Sequence, residues 1–209
     1  MFWFLLILLG ILFVFSIFFF SLYPVIKKKN YKKNYVKIYG KKVYQIANKE
    51  DYYLLNNVKI KTRDDKCLNI DHILFGNKYF YLIKDYYLEG GLSYKNIDKS
   101  WIQYYGSNKK PKQRYIDNLM TINENVIEKF SQITGLDKNL FISIILINND
   151  CEIVSSFNDS DSSYLIQKKN LHHLITNIEK RDVSILNPRN LQFAVRDINK
   201  LNLNKKKNK

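Results

Sequence analysis

The apolar positions of this chain change period along its length, and the changes mark out its elements. Residues 1–26 are almost continuously apolar, interrupted by Ser16, Ser21 and Tyr23. About 20 helical residues cross the hydrocarbon core of a bilayer, so this run predicts one transmembrane helix. From Tyr35 to about Lys49, Val36, Tyr39, Val43, Ile46 and Ala47 recur at helical spacing. That spacing predicts an amphipathic helix with a lysine-rich outer face. Gly40 falls inside it, at a cost of about 0.5–1 kcal/mol relative to alanine, which a close approach of the next strand would offset. Residues 52–62 read as an opening strand and 63–66 as a turn. Two β-rich runs follow, about 68–75 and 78–87, with Gly76-Asn77 between them. Both turn residues tolerate positive φ, so the pattern predicts a hairpin with a two-residue turn.

Past Gly90-Gly91, β-like pieces at 92–94 and 101–105 are separated by the turn composition of Asn96-Ile97-Asp98. A polar loop from Gly106 leads to Pro111, which suits a first helical turn because its missing N–H would be unpaired there. Ile116, Leu119, Met120, Val126, Ile127, Phe130 and Ile133 then mark the buried stripe of a long helix that Gly135 stops. Residues 140–147 show no alternation, the signature of a central strand covered on both faces. A further β run spans 151–157. Helices close the chain at about 169–180 and at 188–201, with Asn187 as N-cap. The order predicts an α/β domain in which helices flank a mixed sheet, preceded by one N-terminal transmembrane helix.

Charge adds topology to this picture. Lys27, Lys28, Lys29, Lys32 and Lys33 follow the apolar run, and cytoplasmic flanks carry the excess of Lys and Arg. The expected arrangement is a single-pass protein of the cell membrane, its amino terminus outside and its C-terminal domain cytoplasmic, with anionic lipid against the basic juxtamembrane segment. No positive n-region precedes the apolar run, and Leu22-Tyr23-Pro24 is a poor cleavage site, so the helix is expected to stay attached. The expected divisions are 1–26 transmembrane helix, 27–35 basic linker, 36–203 folded domain and 204–209 basic tail. A net charge of +15 over 209 residues points to an anionic partner such as nucleic acid. The competing reading is that an Asn-, Lys-, Ile- and Tyr-rich composition carries part of that excess without function. Cys67 and Cys151 stand alone, which argues against zinc and, in a reducing compartment, against a disulfide.

The candidate chemistry lies on the hairpin. The turn brings Asp71 near Lys84, and strand alternation puts Leu82 and Lys84 on one face and Ile83 and Asp85 on the other. Gly40, Asp71-His72-Ile73-Leu74, Lys84, Gly90-Gly91, Trp101 and Pro111-Lys112-Gln113 together resemble the NERD, or nuclease-related domain, family over roughly residues 36–155. That resemblance implies a restriction-endonuclease-like PD-(D/E)xK fold. It also implies a site in which Asp71 holds Mg²⁺ and Lys84 stabilises charge near the nucleophile, with Gly40, Trp101 and Gln113 as supporting motif positions. Two family positions differ: the glutamate expected after Gly40 is Lys41, and the glutamate expected two residues before Lys84 is Leu82. One protein carboxylate would hold Mg²⁺ weakly. Glu50, Asp85 and Glu89 are the acids available as substitutes: Glu50 closes the first helix, Asp85 points to the opposite face of a regular strand, and Glu89 lies beyond the strand end. His72 reads as a packing or hydrogen-bonding residue, and His172-His173 as a surface and core-edge pair without an acid partner. Trp101 and the tyrosines are core or, alternatively, base-stacking residues.

The function this implies is a membrane-anchored nuclease-related protein that acts on or binds nucleic acid at the cytoplasmic membrane face, with catalysis impaired by Leu82. If active, it would be a Mg²⁺-dependent endonuclease. The alternative is a non-catalytic protein-interaction scaffold tethered to the membrane.

Overall fold

The computed structural model describes residues 2–62, 64–107 and 110–204. Arg63, Asn108 and Lys109, and the basic tail from Lys205 on, lie outside the described residues. The chain divides into two compact units, Met1–Ile38 and Tyr39–Lys209.

The first unit is helical, part of α1 (Phe2–Glu50), and Pro24 lies within the helix. Among the described side chains, the apolar ones from Trp3 to Ile26 are exposed. The Ser16 and Ser21 hydroxyls donate to the carbonyls of Leu12 and Ile17, so neither is left unpaired along the apolar run. This helix is long and apolar enough to cross a membrane. The segment 27–35, expected as a linker, is helical as well.

The second unit is α/β. Beyond the end of α1 it contains β1 (Tyr53–Lys61), β2 (Cys67–Phe75), β3 (Phe80–Tyr86), β4 (Gly91–Lys95), β5 (Ser100–Ser107), β6 (Lys110–Asp117), α2 (Leu119–Thr134), β7 (Phe141–Ile147), β8 (Glu152–Phe157), β9 (Ser163–Gln167), α3 (Leu171–Glu179) and α4 (Pro188–Leu201). The strands make two mixed sheets, ordered β1-β2-β3-β7-β9 and β6-β5-β4-β8. In the first, β1, β2 and β3 pair antiparallel, and β3, β7 and β9 parallel. The segment β3–β4 and the segment β7–β8 run side by side through both sheets, β3 against β7 and then β4 against β8. Where they pass between sheets, Leu88 N–H donates to Asn148 Oδ1 (2.8 Å) and Glu152 N–H to the Gly90 carbonyl (2.9 Å).

All seven residues of β7 are buried, Ser143 among them, as its lack of alternation predicts. One core cluster joins Ile73, Phe75, Phe80 and Leu82 of the first sheet to Ile127 and Phe130 of α2 and Ile198 of α4. A second gathers Leu92, Trp101, Met120, Ile145 and Ile147. The last turns of α1 bury Tyr39, Val43, Ile46 and Ala47, and a Cβ on Gly40 would stand 3.3 Å from His72 Cε1. Gly40 therefore offsets its helix cost by admitting β2 at close range.

Three local expectations are corrected. The hairpin loop has four residues, Gly76 to Tyr79, closed by Gly76 N–H donating to the Tyr79 carbonyl (2.9 Å). Neither Gly76 nor Asn77 has positive φ. A Cβ at 76 would crowd the buried Tyr81 ring and the Glu179 carboxylate, which accepts from Tyr81 Oη at 2.6 Å. Pro111 starts no helix: it lies on β6, an edge strand, where its missing N–H costs the ladder nothing. The helix starts at Asn118, whose Oδ1 accepts from the N–H groups of Met120 (2.9 Å) and Thr121 (3.2 Å). Finally, the three apolar or aromatic residues Tyr164–Ile166 were too short a run to announce β9.

Of the glycines with positive φ, two lie in contrasting surroundings. Gly90 (φ 77°) lies against the Tyr104 carbonyl, while Gly135 (φ 70°) ends α2 with open space around it. Gly135→Ala is expected to cost about 1 kcal/mol from backbone conformation alone. Gly90→Ala should cost clearly more, because the backbone of β5 at Tyr104 must move away from the start of β4 to admit the methyl group. Chemical denaturation of both variants checks this ordering.

Candidate functional site

The β2/β3 register pairs His72 with Ile83 and Ile73 with Leu82, which sets Asp71 across from Lys84. Lys84 Nζ donates to Asp71 Oδ1 at 3.0 Å, and Asp85 N–H donates to Asp71 Oδ2 at 3.0 Å. Both carboxylate oxygens are therefore engaged by the neighbouring strand. The pair is partly open to solvent, with side-chain exposures of 30% for Lys84 and 23% for Asp71. Leu82 is fully buried, in the cluster that holds Phe130 and Phe141. Its carbonyl accepts from Asn123 Nδ2 (3.2 Å), which also donates to Ser143 Oγ (2.7 Å). These bonds fix α2 across the strand at this point.

The other face of the hairpin holds a buried polar chain. His72 Nε2 meets Asp85 Oδ2 at 3.0 Å, and His72 Nδ1 meets Asn56 Oδ1 at 2.6 Å. An amide oxygen only accepts, so Nδ1 carries a proton toward Asn56, and a further proton is shared between Nε2 and the carboxyl of Asp85. Asp85 Oδ1 is buried with no hydrogen-bond partner. Burial raises the pKa of Asp85 above the usual carboxylate value, against the opposing pull of the His72 hydrogen bond. Asp85 thus faces away from Asp71, as strand alternation requires.

The other sequence-derived residues disperse. Glu50 accepts from His172 Nε2 at 2.7 Å, and this bond holds its pKa below the usual value. His172 consequently has an acid partner, contrary to the sequence expectation; the two residues are 122 positions apart, beyond the reach of any local motif. Glu89 lies between β3 and β4, where its carbonyl accepts from Gln103 Nε2 (2.8 Å). Trp101 is buried, with its indole N–H donating to the Lys95 carbonyl (2.9 Å), which removes it as a base-stacking residue. Gln113 stands on β6, paired with Tyr104 in the second sheet. Asn56 and Asn123, which complete the two polar chains, were not distinguishable among the many asparagines of the sequence.

The sequence model of the nuclease-related domain family, NERD, matches residues 35–148. The chain belongs to the NERD family. No curated protein and no solved structure matches it. The α/β architecture is consistent with the restriction-endonuclease-like fold of this family, and the matched span contains the Asp71–Lys84 pair.

A NERD relationship makes a divalent metal the cofactor to consider, and the donor set does not fit one. Magnesium takes oxygen ligands in near-ideal octahedral geometry. Here the single carboxylate of the pair already accepts on both oxygens, and the position of the second ligand is a leucine inside the apolar core. Among the described residues no group of three or more His, Cys, Asp or Glu side chains is arranged to hold a metal ion.

Asp85 carries a pH prediction. A carboxyl whose pKa is higher in the fold than in the unfolded chain stabilises the fold at low pH, and that contribution is lost as pH rises through the folded value. The stability of the wild type relative to Asp85→Asn should therefore fall as pH rises from about 4, the unfolded carboxylate value, through the raised pKa of Asp85. Denaturant titrations of both proteins across that range measure the difference.

Proposed function

We propose that this NERD protein is a membrane-anchored, non-hydrolysing nucleic-acid-binding domain on the cytoplasmic side of the cell membrane. The observation that carries the reading is Leu82. Metal-dependent phosphodiester hydrolysis needs donors that position an ion against a phosphate, and the residue that would provide the second carboxylate is instead part of the core beside Phe130 and Phe141. Asp71 and Lys84 then act as a strand-to-strand clamp.

Nucleic acid is the partner favoured by the nuclease relationship and by the net charge of +15. Anchoring is supported by the exposed apolar helix, and orientation by the lysines that follow it at 27–29, 32 and 33. Those lysines also favour anionic lipid at the inner leaflet.

The test uses the full chain in lipid nanodiscs with fluorescent single- and double-stranded DNA and RNA. Binding is expected to persist in EDTA and to weaken linearly in log Kd against log salt, with no strand cleavage in Mg²⁺ or Mn²⁺. Metal-dependent cleavage that Asp71→Ala abolishes would overturn the non-hydrolysing reading, and absence of any binding would overturn the nucleic-acid reading.

A further inference from the structure

The second sheet carries a surface that neither the Asp71–Lys84 pair nor the two cores use. Ser93 of β4, Ile102 of β5 and Tyr115 of β6 stand side by side across the sheet, as the registers Ser93 with Ile102 and Ile102 with Tyr115 require. Tyr115 is 70% exposed although it lies in a strand. This row forms part of a groove of about 400 Å³ that is also lined by Lys95, Lys99 and Asp98. The Asp98 carbonyl and N–H are committed to the fold, to Asn118 Nδ2 (2.7 Å) and the Lys95 carbonyl (3.2 Å) respectively. Among the described residues, no carboxylate pairs with Lys95 or Lys99.

The strand that borders the groove is an edge strand rich in basic residues. β6 is the outermost strand; Pro111, Gln113 and Tyr115 share the groove's side of it, and Lys110, Lys112 and Arg114 alternate with them on the opposite side. Arg114 is held in place: its Nε donates to Gln103 Oε1 (2.9 Å) and its guanidinium lies 5.7 Å from the Tyr105 ring centroid. A proline and lysines on an edge strand oppose addition of another protein strand. The occupant must therefore tolerate a blocked backbone edge, and Lys95 and Lys99 in the groove, unpaired among the described residues, favour a negatively charged one.

We propose that this groove binds single-stranded nucleic acid, with Tyr115 stacking a base and Lys95 and Lys99 holding the flanking phosphates. An exposed ring face in a shallow groove is reached by a base that has left its stack, which a single strand offers and a duplex does not. The inference rests on the nucleic-acid reading above and assigns that binding to the second sheet, whereas Asp71 and Lys84 lie on the first.

The experiment measures fluorescence anisotropy of labelled oligothymidine, oligouridine and a DNA duplex with the full chain in phosphatidylcholine nanodiscs, so that anionic lipid does not compete. Tyr115→Ala is expected to weaken single-strand binding roughly tenfold or more, with Tyr115→Phe retaining it. Lys95→Ala with Lys99→Ala should lower the slope of log affinity against log salt by about 1.4. The variants' circular dichroism should match the wild type, since these substitutions leave both cores intact. The two oligonucleotides separate DNA from RNA within the same chemistry. If the wild type binds no nucleic acid, the reading of the whole protein fails. If it binds but neither the Tyr115 variant nor the lysine variant changes affinity or salt slope, the groove assignment alone is overturned. Duplex binding stronger than single-strand binding and insensitive to Tyr115 overturns it too.

Discussion

Two donors from one strand converge on the carboxylate of Asp71: the ammonium of Lys84 and the backbone N–H of Asp85. Hydrogen bonds to an ionised acceptor are worth about 1.5–3 kcal/mol each, more than neutral ones, so this contact fixes the register of β2 on β3. The register then decides everything near the site. It seats Leu82 opposite Ile73 inside the core and brings His72 against Asp85 on the far face. Each oxygen of this carboxylate is thereby tied to β3, so the pair joins the two strands as well as facing solvent.

The same register organises the rest of the domain. β3 continues into β4 and β7 into β8, so that one pair of parallel segments belongs to both sheets. Gly90 makes the passage possible by placing its α-carbon against the Tyr104 carbonyl, where no side chain fits. The second sheet then opens outward with β6 at its edge, exposed along nearly its whole length, while the first sheet is enclosed by α2, α4 and the last turns of α1. A closed, hydrogen-bonded hairpin and an open, cationic sheet are consequences of one chain path.

Much of this architecture was legible because each signal had a single physical meaning. The absence of alternation at 141–147 meant a strand buried on both faces, Asn187 before Pro188 meant a helix start, and Gly135 meant a helix end. The Asp71–Lys84 proximity followed from the hairpin even though its turn was misread, because a four-residue loop preserved the facing of the two strands. The failures also have physical causes. Pro111 is compatible with a helix start and with a strand edge, and only the neighbouring strand decides between them. Glu50 with His172, and His72 with Asn56, are meetings set by tertiary packing, which no spacing along the chain announces. Leu82 was visible as a substitution, but its burial beside Phe130 and Phe141 depended on where α2 lies.

That burial is the central claim, and restoring the family's acid tests it most directly. Leu82→Glu in the full chain, titrated with Mn²⁺ by calorimetry and unfolded by denaturant in parallel, should bind no metal and should be destabilised by several kcal/mol, the penalty of an unpaired carboxyl in an apolar core. A Leu82→Glu protein as stable as the wild type, binding Mn²⁺ through Asp71, would contradict the account and show that the second ligand position still opens onto the site.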